Sequence, residues 1–135
     1  MPSLQDREVL EVKTDLDLVK VRQKVREHAA RVKLALVPQT KLVTAASELA
    51  RNMIDYAGGG EMRIQAFRRE GQKGLRIQFE DHGPGIENIE LAMKDGYSTG
   101  QGMGLGLPGA KRLVNDFSIT SEQGKGTCVT ICMWS

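Results

Sequence analysis

The sequence has few cysteines, few aromatic residues and no long apolar run. Its two cysteines among 135 residues, Cys128 and Cys132, lie four positions apart on one predicted strand. That separation, about 13 Å in an extended chain, excludes a disulfide between them. No apolar segment is long enough to cross a bilayer, and no signal-peptide pattern opens the chain. These absences favour a protein of the reducing cytoplasm, and we expect no membrane partner.

The charge is nearly balanced, with 19 basic and 17 acidic residues, so it indicates neither a nucleic-acid nor a membrane partner. Aromatic residues make up only 4% of the chain and do not alternate with its basic residues, as they do in single-strand binding surfaces. We therefore interpret the local basic group as a solvated hairpin surface, with a phosphate-binding patch as the alternative. That group consists of Arg63, Arg68, Arg69, Lys73 and Arg76.

Length and hydrophobic periodicity predict one domain over residues 1–135 with an α+β fold. Grouped strands joined by short turns indicate a mostly antiparallel sheet with the helices on one face, a two-layer α/β sandwich. The predicted elements are a strand at 7–13, helices at about 14–36 and 39–57, a hairpin at 61–69 and 75–81, a short helix at 89–94, a helix at 107–115, and a hairpin at 117–122 and 127–134.

Local signals predict where these elements begin and end. Thr14 and Asp17 resemble a capping box at the start of the first long helix, whose apolar stripe continues to Leu36. Pro38 is interpreted as the break before the second helix. Three further breaks are predicted: glycines at 58–60, a turn at 70–74 and a loop at 95–106.

Asp81 is the first candidate functional residue. It continues the apolar alternation of the strand at 75–81, which places a carboxylate on the core-facing side. Such a carboxylate needs a hydrogen-bond donor. The exocyclic amine of adenine would supply one, and Gly83 and Gly85 would let a flat ring approach the backbone. The alternative is that Asp81 caps a turn at 83–85, and the residues leave both interpretations open.

The glycine-rich segment at 100–107 is the second candidate. Backbone N–H groups of such a loop, leading into a helix N-terminus, can hold phosphate oxygens. The dinucleotide-type spacing at 104–109 follows a loop rather than a strand, so we interpret that match as accidental. A Walker-type loop would need lysine directly after its last glycine, where Ala110 stands. A flexible linker is the alternative interpretation.

Glu48 and Asn52 are the third candidate, because residues four apart on a helix share a face. The amide oxygen of Asn52 is a neutral, hard ligand that suits Mg²⁺. The Glu48 carboxylate could accept the proton of an attacking hydroxyl group. Taken alone, the pair is also consistent with two polar residues on an exposed helix face.

These segments occur in one order: Glu48 and Asn52, then Asp81-x-Gly83-x-Gly85, then Gly102-x-Gly104-x-Gly106, then Gly126-Thr127. In that order they resemble the N, G1 and G2 boxes and the late Gly-Thr of the GHKL ATPase/kinase superfamily, whose ATP-binding module is the Bergerat fold. Three segments of the chain are similar to segments of the stand-alone anti-sigma-factor serine/threonine kinases, a group that includes kinases of the bacterial stressosome. They lie at 47–52, 96–99 and 106–113.

This resemblance implies a kinase that uses Mg-ATP to phosphorylate a STAS-domain protein and so switches partners in bacterial stress signalling. A regulatory phosphatase or a sigma factor is implied as a further partner. Glu48 would be the base and Asn52 the Mg²⁺ ligand. The implied nucleotide-binding residues are Asn52, Asp81, Gly83, Gly85, Ile86, Gly102, Met103, Gly104, Leu105, Gly106, Leu107 and Thr127.

One residue departs from the family pattern. Many members place lysine or histidine three residues after the asparagine, near the phosphates, and here that residue is Asp55. A negative charge there would repel a triphosphate, or it would bind a metal ion instead. The alternative function is therefore a non-catalytic, nucleotide-sensing adaptor or an anti-sigma factor that sequesters a protein partner.

Overall fold

The computed structural model describes residues 7–86, 89–93 and 106–134. It confirms the α+β sandwich: a five-stranded antiparallel sheet, in the order β1-β2-β3-β5-β4, carries helices on one face. No helix in this described part is both long and apolar enough to span a bilayer. The elements are β1 (Arg7–Val12), α1 (Asp15–Arg31), α2 (Leu36–Ala57), β2 (Gly60–Arg69), β3 (Gln72–Glu80), α3 (Ile89–Ala92), α4 (Gly106–Leu113), β4 (Asp116–Glu122) and β5 (Gly126–Trp134).

The core lies between the sheet and the helices α1, α2 and α4. Alternate residues of the strands point into it, and the apolar stripes of α1 and α2 cover them. The strands contribute Val12, Met62, Ile64, Leu75, Ile77, Phe79, Val129, Ile131 and Met133, and the helices contribute Leu18, Val21, Val25, Ala29, Leu42, Ala46, Leu49 and Met53.

The predicted capping box is confirmed at the start of α1. The backbone N–H groups of Lys13 and Thr14 donate to Oδ2 of Asp17 at 2.9 and 3.0 Å. These two bonds hold the pKa of Asp17 below its usual value. Asp17 therefore satisfies the backbone N–H of the N-cap residue, Thr14, and that of Lys13 just before it.

A buried histidine joins α1 to β1. Nε2 of His28 lies 2.8 Å from Oε1 of Glu8, and Lys24 forms an ion pair with the same carboxylate at 3.2 Å. The hydrogen bond with His28 lowers the pKa of Glu8, and Lys24 adds to the effect while burial opposes it. Ionised Glu8 thus stabilises the packing of α1 on the sheet.

The predicted boundary between the first two helices is wrong. α1 ends at Arg31 and α2 begins at Leu36, with Lys33 in the left-handed region at φ 62°. Leu34 of the connection is buried, whereas Leu36 is 76% exposed and is not part of the stripe of α1. Pro38 lies in the first turn of α2, where its missing N–H would have had no intrahelical acceptor.

The predicted five-residue turn at 70–74 is also wrong. Glu70 and Gly71 alone connect β2 to β3, both with positive φ (49° and 84°), as the twist of a two-residue hairpin requires. Gly74 is therefore a strand residue, and it pairs with Phe67 of β2 and Trp134 of β5.

Candidate functional site

Asp81 follows the last residue of β3 and connects that strand to β5. Its N–H donates to the carbonyl oxygen of Thr127 at 2.9 Å. Its Oδ1 accepts the N–H groups of Gly83 at 3.0 Å and Thr127 at 3.2 Å. In the described residues no donor is hydrogen-bonded to Oδ2. Asp81 therefore does cap the turn through Oδ1, and its proposed contact with adenine stays a prediction.

Two hydroxyl groups of the β4–β5 hairpin lie close together. Oγ of Ser121 accepts the N–H of Ile86 at 2.7 Å and lies 2.8 Å from Oγ1 of Thr127. Ser121 and Thr127 are opposite each other in the β4–β5 register. Ser121 was missed from the sequence, although the hairpin register, once assigned, places it opposite Thr127.

Close backbone contacts fix the loop at 81–86 against the β4–β5 hairpin. A Cβ at Gly126, where φ is 124°, would overlap the carbonyl oxygen of Asp81, and one at Gly85, where φ is 79°, would overlap that of Glu122. The N–H of Gly124 also donates to the carbonyl oxygen of Pro84 at 2.9 Å. Only glycine permits such contacts, so the loop and the hairpin form one unit.

The C-terminal end of α2 packs against the same loop. A Cβ on Gly83 would lie 2.5 Å from Cβ of Ala57. Gly58 ends the helix at φ 75°, as predicted, and its N–H bonds to the carbonyl oxygen of Ile54. Asn52, which is half-buried, and Glu48, which is exposed, lie one turn apart on this helix beside its buried stripe. α2 therefore contacts the Asp81 loop through Ala57, five residues beyond Asn52.

A groove of about 250 Å³ between α1 and α2 reaches Glu48. One wall is basic, and Nη1 of Arg22 donates to Oγ of Ser47 at 2.8 Å. The other wall carries hydroxyl groups along α2. A polar segment could therefore approach the Glu48 carboxylate from this side. The groove is lined by Arg22, Arg26, Gln39, Thr40, Val43, Thr44, Ser47 and Glu48.

The remaining predicted residues belong to the glycine-rich segment. Gly106 begins α4, and the half-buried Leu107 packs against the core beside α2. Gly102, Met103, Gly104 and Leu105 lie outside the described residues, so their role in phosphate binding stays a prediction. Asp55, on α2, is exposed and has no ion pair within the described part of the chain.

Solved structures share this fold. The RsbU and RsbW domains of Rv1364c from Mycobacterium tuberculosis match with a TM-score of 0.59 at 19% identity, over 93% of this chain and 32% of that chain. The mycobacterial sensor histidine kinase MprB matches with a TM-score of 0.57 at 19% identity, over 95% of this chain and 97% of that chain. The protein is thus a two-layer α/β sandwich of the kind found in GHKL kinases.

The sequence matches extend this assignment. Residues 38–134 match the family of histidine kinase-, DNA gyrase B- and HSP90-like ATPases. Over 131 residues the chain is 43% identical to the serine/threonine-protein kinase RsbT of Bacillus subtilis, covering 97% of this chain and 98% of that protein. The chain belongs to this ATPase family, within its serine/threonine-protein kinase branch. The resemblance inferred from the sequence is confirmed.

Proposed function

We propose that the protein transfers the γ-phosphoryl group of Mg-ATP to a serine or threonine of a STAS-domain protein and thereby switches partners in the cytoplasm. One observation carries the proposal: α2 holds Glu48 and Asn52 one turn apart and packs its C-terminal end against the Asp81 loop. The similarity to RsbT supports the activity, and the family resemblance supports the STAS-domain substrate. A phosphatase or a sigma factor would be the second partner.

Adenine would bind beside Asp81. Oδ2 of Asp81 would accept a hydrogen bond from the exocyclic amine, while the backbone N–H of Thr127 holds Oδ1 of the same carboxylate. The backbone of the loop at 83–86 would line the ring. The segment from Gly102 to Leu107 would hold the phosphates ahead of α4, where N–H groups of the first turn are available.

Asn52 fits a Mg²⁺ ligand, since Mg²⁺ takes few protein oxygens and completes its shell with phosphates and water. When bound, the ion would neutralise phosphate charge. The hydroxyl oxygen of the substrate serine or threonine would bond to the γ-phosphorus while the bond to ADP breaks and ADP leaves. Glu48 would accept the proton of that hydroxyl. Because Glu48 is exposed and faces the α1–α2 groove, a protein side chain can reach it. Most of the rate would come from positioning.

The test is transfer of label from ATP to the STAS-domain proteins of the same organism. Glu48→Gln should lower the transfer rate about 10²- to 10⁴-fold and leave ATP affinity unchanged. Glu27→Gln, which neutralises an exposed carboxylate on α1, is the matched control and should transfer normally. Transfer that continues at the wild-type rate in Glu48→Gln would refute the role of Glu48 as the base. If the wild-type protein labels no STAS-domain protein, the proposed class of substrate is wrong.

A second function is favoured by Asp55. Its exposed, unpaired carboxylate lies three residues after Asn52, among the described residues of α2, where it would oppose triphosphate binding. The protein would then sense nucleotide as an adaptor, or hold a sigma factor, without phosphoryl transfer. Partner capture that is unchanged by Asn52→Ala, together with no detectable transfer, would support this function instead.

A further inference from the structure

Ser121 lies at the centre of a small hydrogen-bond network where the loop at 81–86 meets the β4–β5 hairpin. Its Oγ accepts the N–H of Ile86 at 2.7 Å and lies 2.8 Å from Oγ1 of Thr127. The same oxygen lies 3.2 Å from the carbonyl oxygen of Gly126. One hydroxyl group on β4 thus joins the loop to β5.

The network faces the helical layer, on the same side of the sheet as Asp81. Thr127 comes two residues before Val129, and Asp81 comes two residues after Phe79; both apolar side chains are buried in the core. Since side chains alternate along a strand, Thr127 and Asp81 point to the helix-facing side. Ser121, opposite Thr127 in the register, points to that side as well. A base bound at Asp81 would therefore lie over the side of the sheet from which both hydroxyl groups project.

The distances select one direction for the hydroxyl protons. A serine hydroxyl has one proton to donate, so the Ser121 proton goes either to Oγ1 of Thr127 or to the carbonyl oxygen of Gly126. Hydrogen bonds from a hydroxyl to oxygen are commonest at about 2.7–2.8 Å and seldom exceed about 3.0 Å. The contact with Thr127, at 2.8 Å, is therefore preferred to the contact with Gly126, at 3.2 Å. Ser121 then donates to Thr127.

In this direction the Thr127 hydroxyl keeps its own proton for a ligand. Its oxygen accepts the Ser121 proton, and in the described part of the chain no acceptor takes the Thr127 proton. In the opposite direction Thr127 would donate to Ser121 and would only accept from a ligand. Two ring nitrogens of adenine, N1 and N7, flank the amine, and both of them only accept hydrogen bonds. The preferred direction is thus the one that suits adenine.

We propose that Ser121 is a positioning residue for adenine recognition, because it directs the Thr127 hydroxyl to donate to N1 or N7 of the base. The inference rests on the proposed function only in that ATP binds at Asp81, and it does not involve the transfer step. Ser121 acts through Thr127 and does not itself contact the nucleotide. Its bond to Ile86 also supports the loop, which is a separate, structural role.

Isothermal titration with ATP, 1-deaza-ATP and 7-deaza-ATP tests the positioning role, since each analogue replaces one of the two ring nitrogens by a C–H group. The wild-type protein should bind ATP about tenfold more tightly than one of the analogues, whose C–H leaves the Thr127 proton without an acceptor. In Ser121→Ala this preference should fall to about threefold, because the Thr127 hydroxyl regains all three staggered positions. Ser121→Thr keeps a hydroxyl and should keep the tenfold preference.

The ratio of affinities separates positioning from support of the loop. A loosened loop in Ser121→Ala would weaken the binding of ATP and of both analogues by the same factor, so the ratio would not change. Thr127→Val, which lacks the donor, should bind ATP and the selected analogue within about twofold of each other. Ser118→Ala is the matched control, because it removes an exposed hydroxyl from the same strand, and it should bind all three nucleotides as the wild type does.

Three results would overturn the inference. The first is a wild-type protein that binds ATP and both analogues equally, which leaves the proposed ATP site standing without a hydroxyl bond to the ring. The second is a tenfold preference that persists in Ser121→Ala, which would limit Ser121 to support of the loop. The third is a wild-type protein that binds no ATP, which would refute the nucleotide use in the proposed function as well. If thermal unfolding shows that Ser121→Ala is not folded, Ser121→Cys, with its weak S–H donor, takes its place and should show a preference below that of the wild type.

Discussion

Asp81→Asn separates the two roles that the structure and the proposed function give to one side chain. Oδ1 is occupied by the N–H groups of Gly83 and Thr127. An asparagine amide oxygen can accept the same two bonds. The second carboxylate oxygen, which would accept the amine of adenine, becomes an NH₂ donor. The fold should therefore survive while the base contact is lost.

The magnitudes follow from the hydrogen bonds. Replacing a charged acceptor by a neutral one in two bonds should reduce stability by about 1–2 kcal/mol, lowering Tm by roughly 3–8 °C. At the ligand, a charge-assisted bond is lost and two donors face each other, which should weaken ATP binding by about 3 kcal/mol, or roughly 150-fold. Guanine carries an acceptor where adenine has its amine, so GTP binding should improve relative to ATP.

Isothermal titration with ATP and GTP, together with thermal unfolding, measures both effects. Asp81→Ala is the comparison, because it leaves the N–H groups of Gly83 and Thr127 unpaired and should destabilise more than the asparagine variant. Asp116→Asn, at an exposed position that begins β4, should change neither affinity nor Tm beyond error. If Asp81→Asn binds ATP within about threefold of wild type, the carboxylate does not contact the base and the reasoning fails.

Three further predictions concern other parts of the fold. Gly126→Ala should destabilise by about 3–5 kcal/mol in urea denaturation, because its Cβ would overlap a facing carbonyl oxygen at a φ of 124°. Gly124→Ala, at a φ of 79° in open space, should lose only about 1–2 kcal/mol, and equal losses would contradict the overlap. Asp55→Lys should tighten ATP binding about five- to tenfold at low salt and less at high salt, and an unchanged Kd would place the residue beyond reach of the phosphates. The pKa values of Glu8 and Asp17 lie below their ordinary 4.5 and 3.8 in the fold. As pH falls, the two carboxylates therefore bind protons in the unfolded chain before they do so in the folded protein. The stability that Glu8 and Asp17 contribute is complete above their ordinary pKa values, and it is lost as pH falls through their lower pKa values in the fold. Tm should start to fall below about pH 5. In Glu8→Gln that fall should be smaller.

The parts of the fold encoded by adjacent residues could be predicted from the sequence. Thr14 and Asp17 specify the start of α1, and Gly58 specifies the end of α2, because each signal acts within one helical turn. The Asp81 loop was also predictable, since its glycines, its strand alternation and Thr127 occur in a recognisable order. The sequence left two interpretations of Asp81 open, a cap of the turn and a contact with adenine. In the structure Oδ1 caps the turn, and in the proposed function Oδ2 contacts adenine.

The errors arose where contacts between distant residues decide the structure. Gly74 is typical of a turn, yet it lies within β3 because the rings of Phe67 and Trp134 meet across it. Leu36 has the spacing of a buried residue, but Leu34 takes the core position after α1 ends. Ser121 could not be assigned until the β4–β5 register placed it opposite Thr127. Periodicity within one segment contains none of this information.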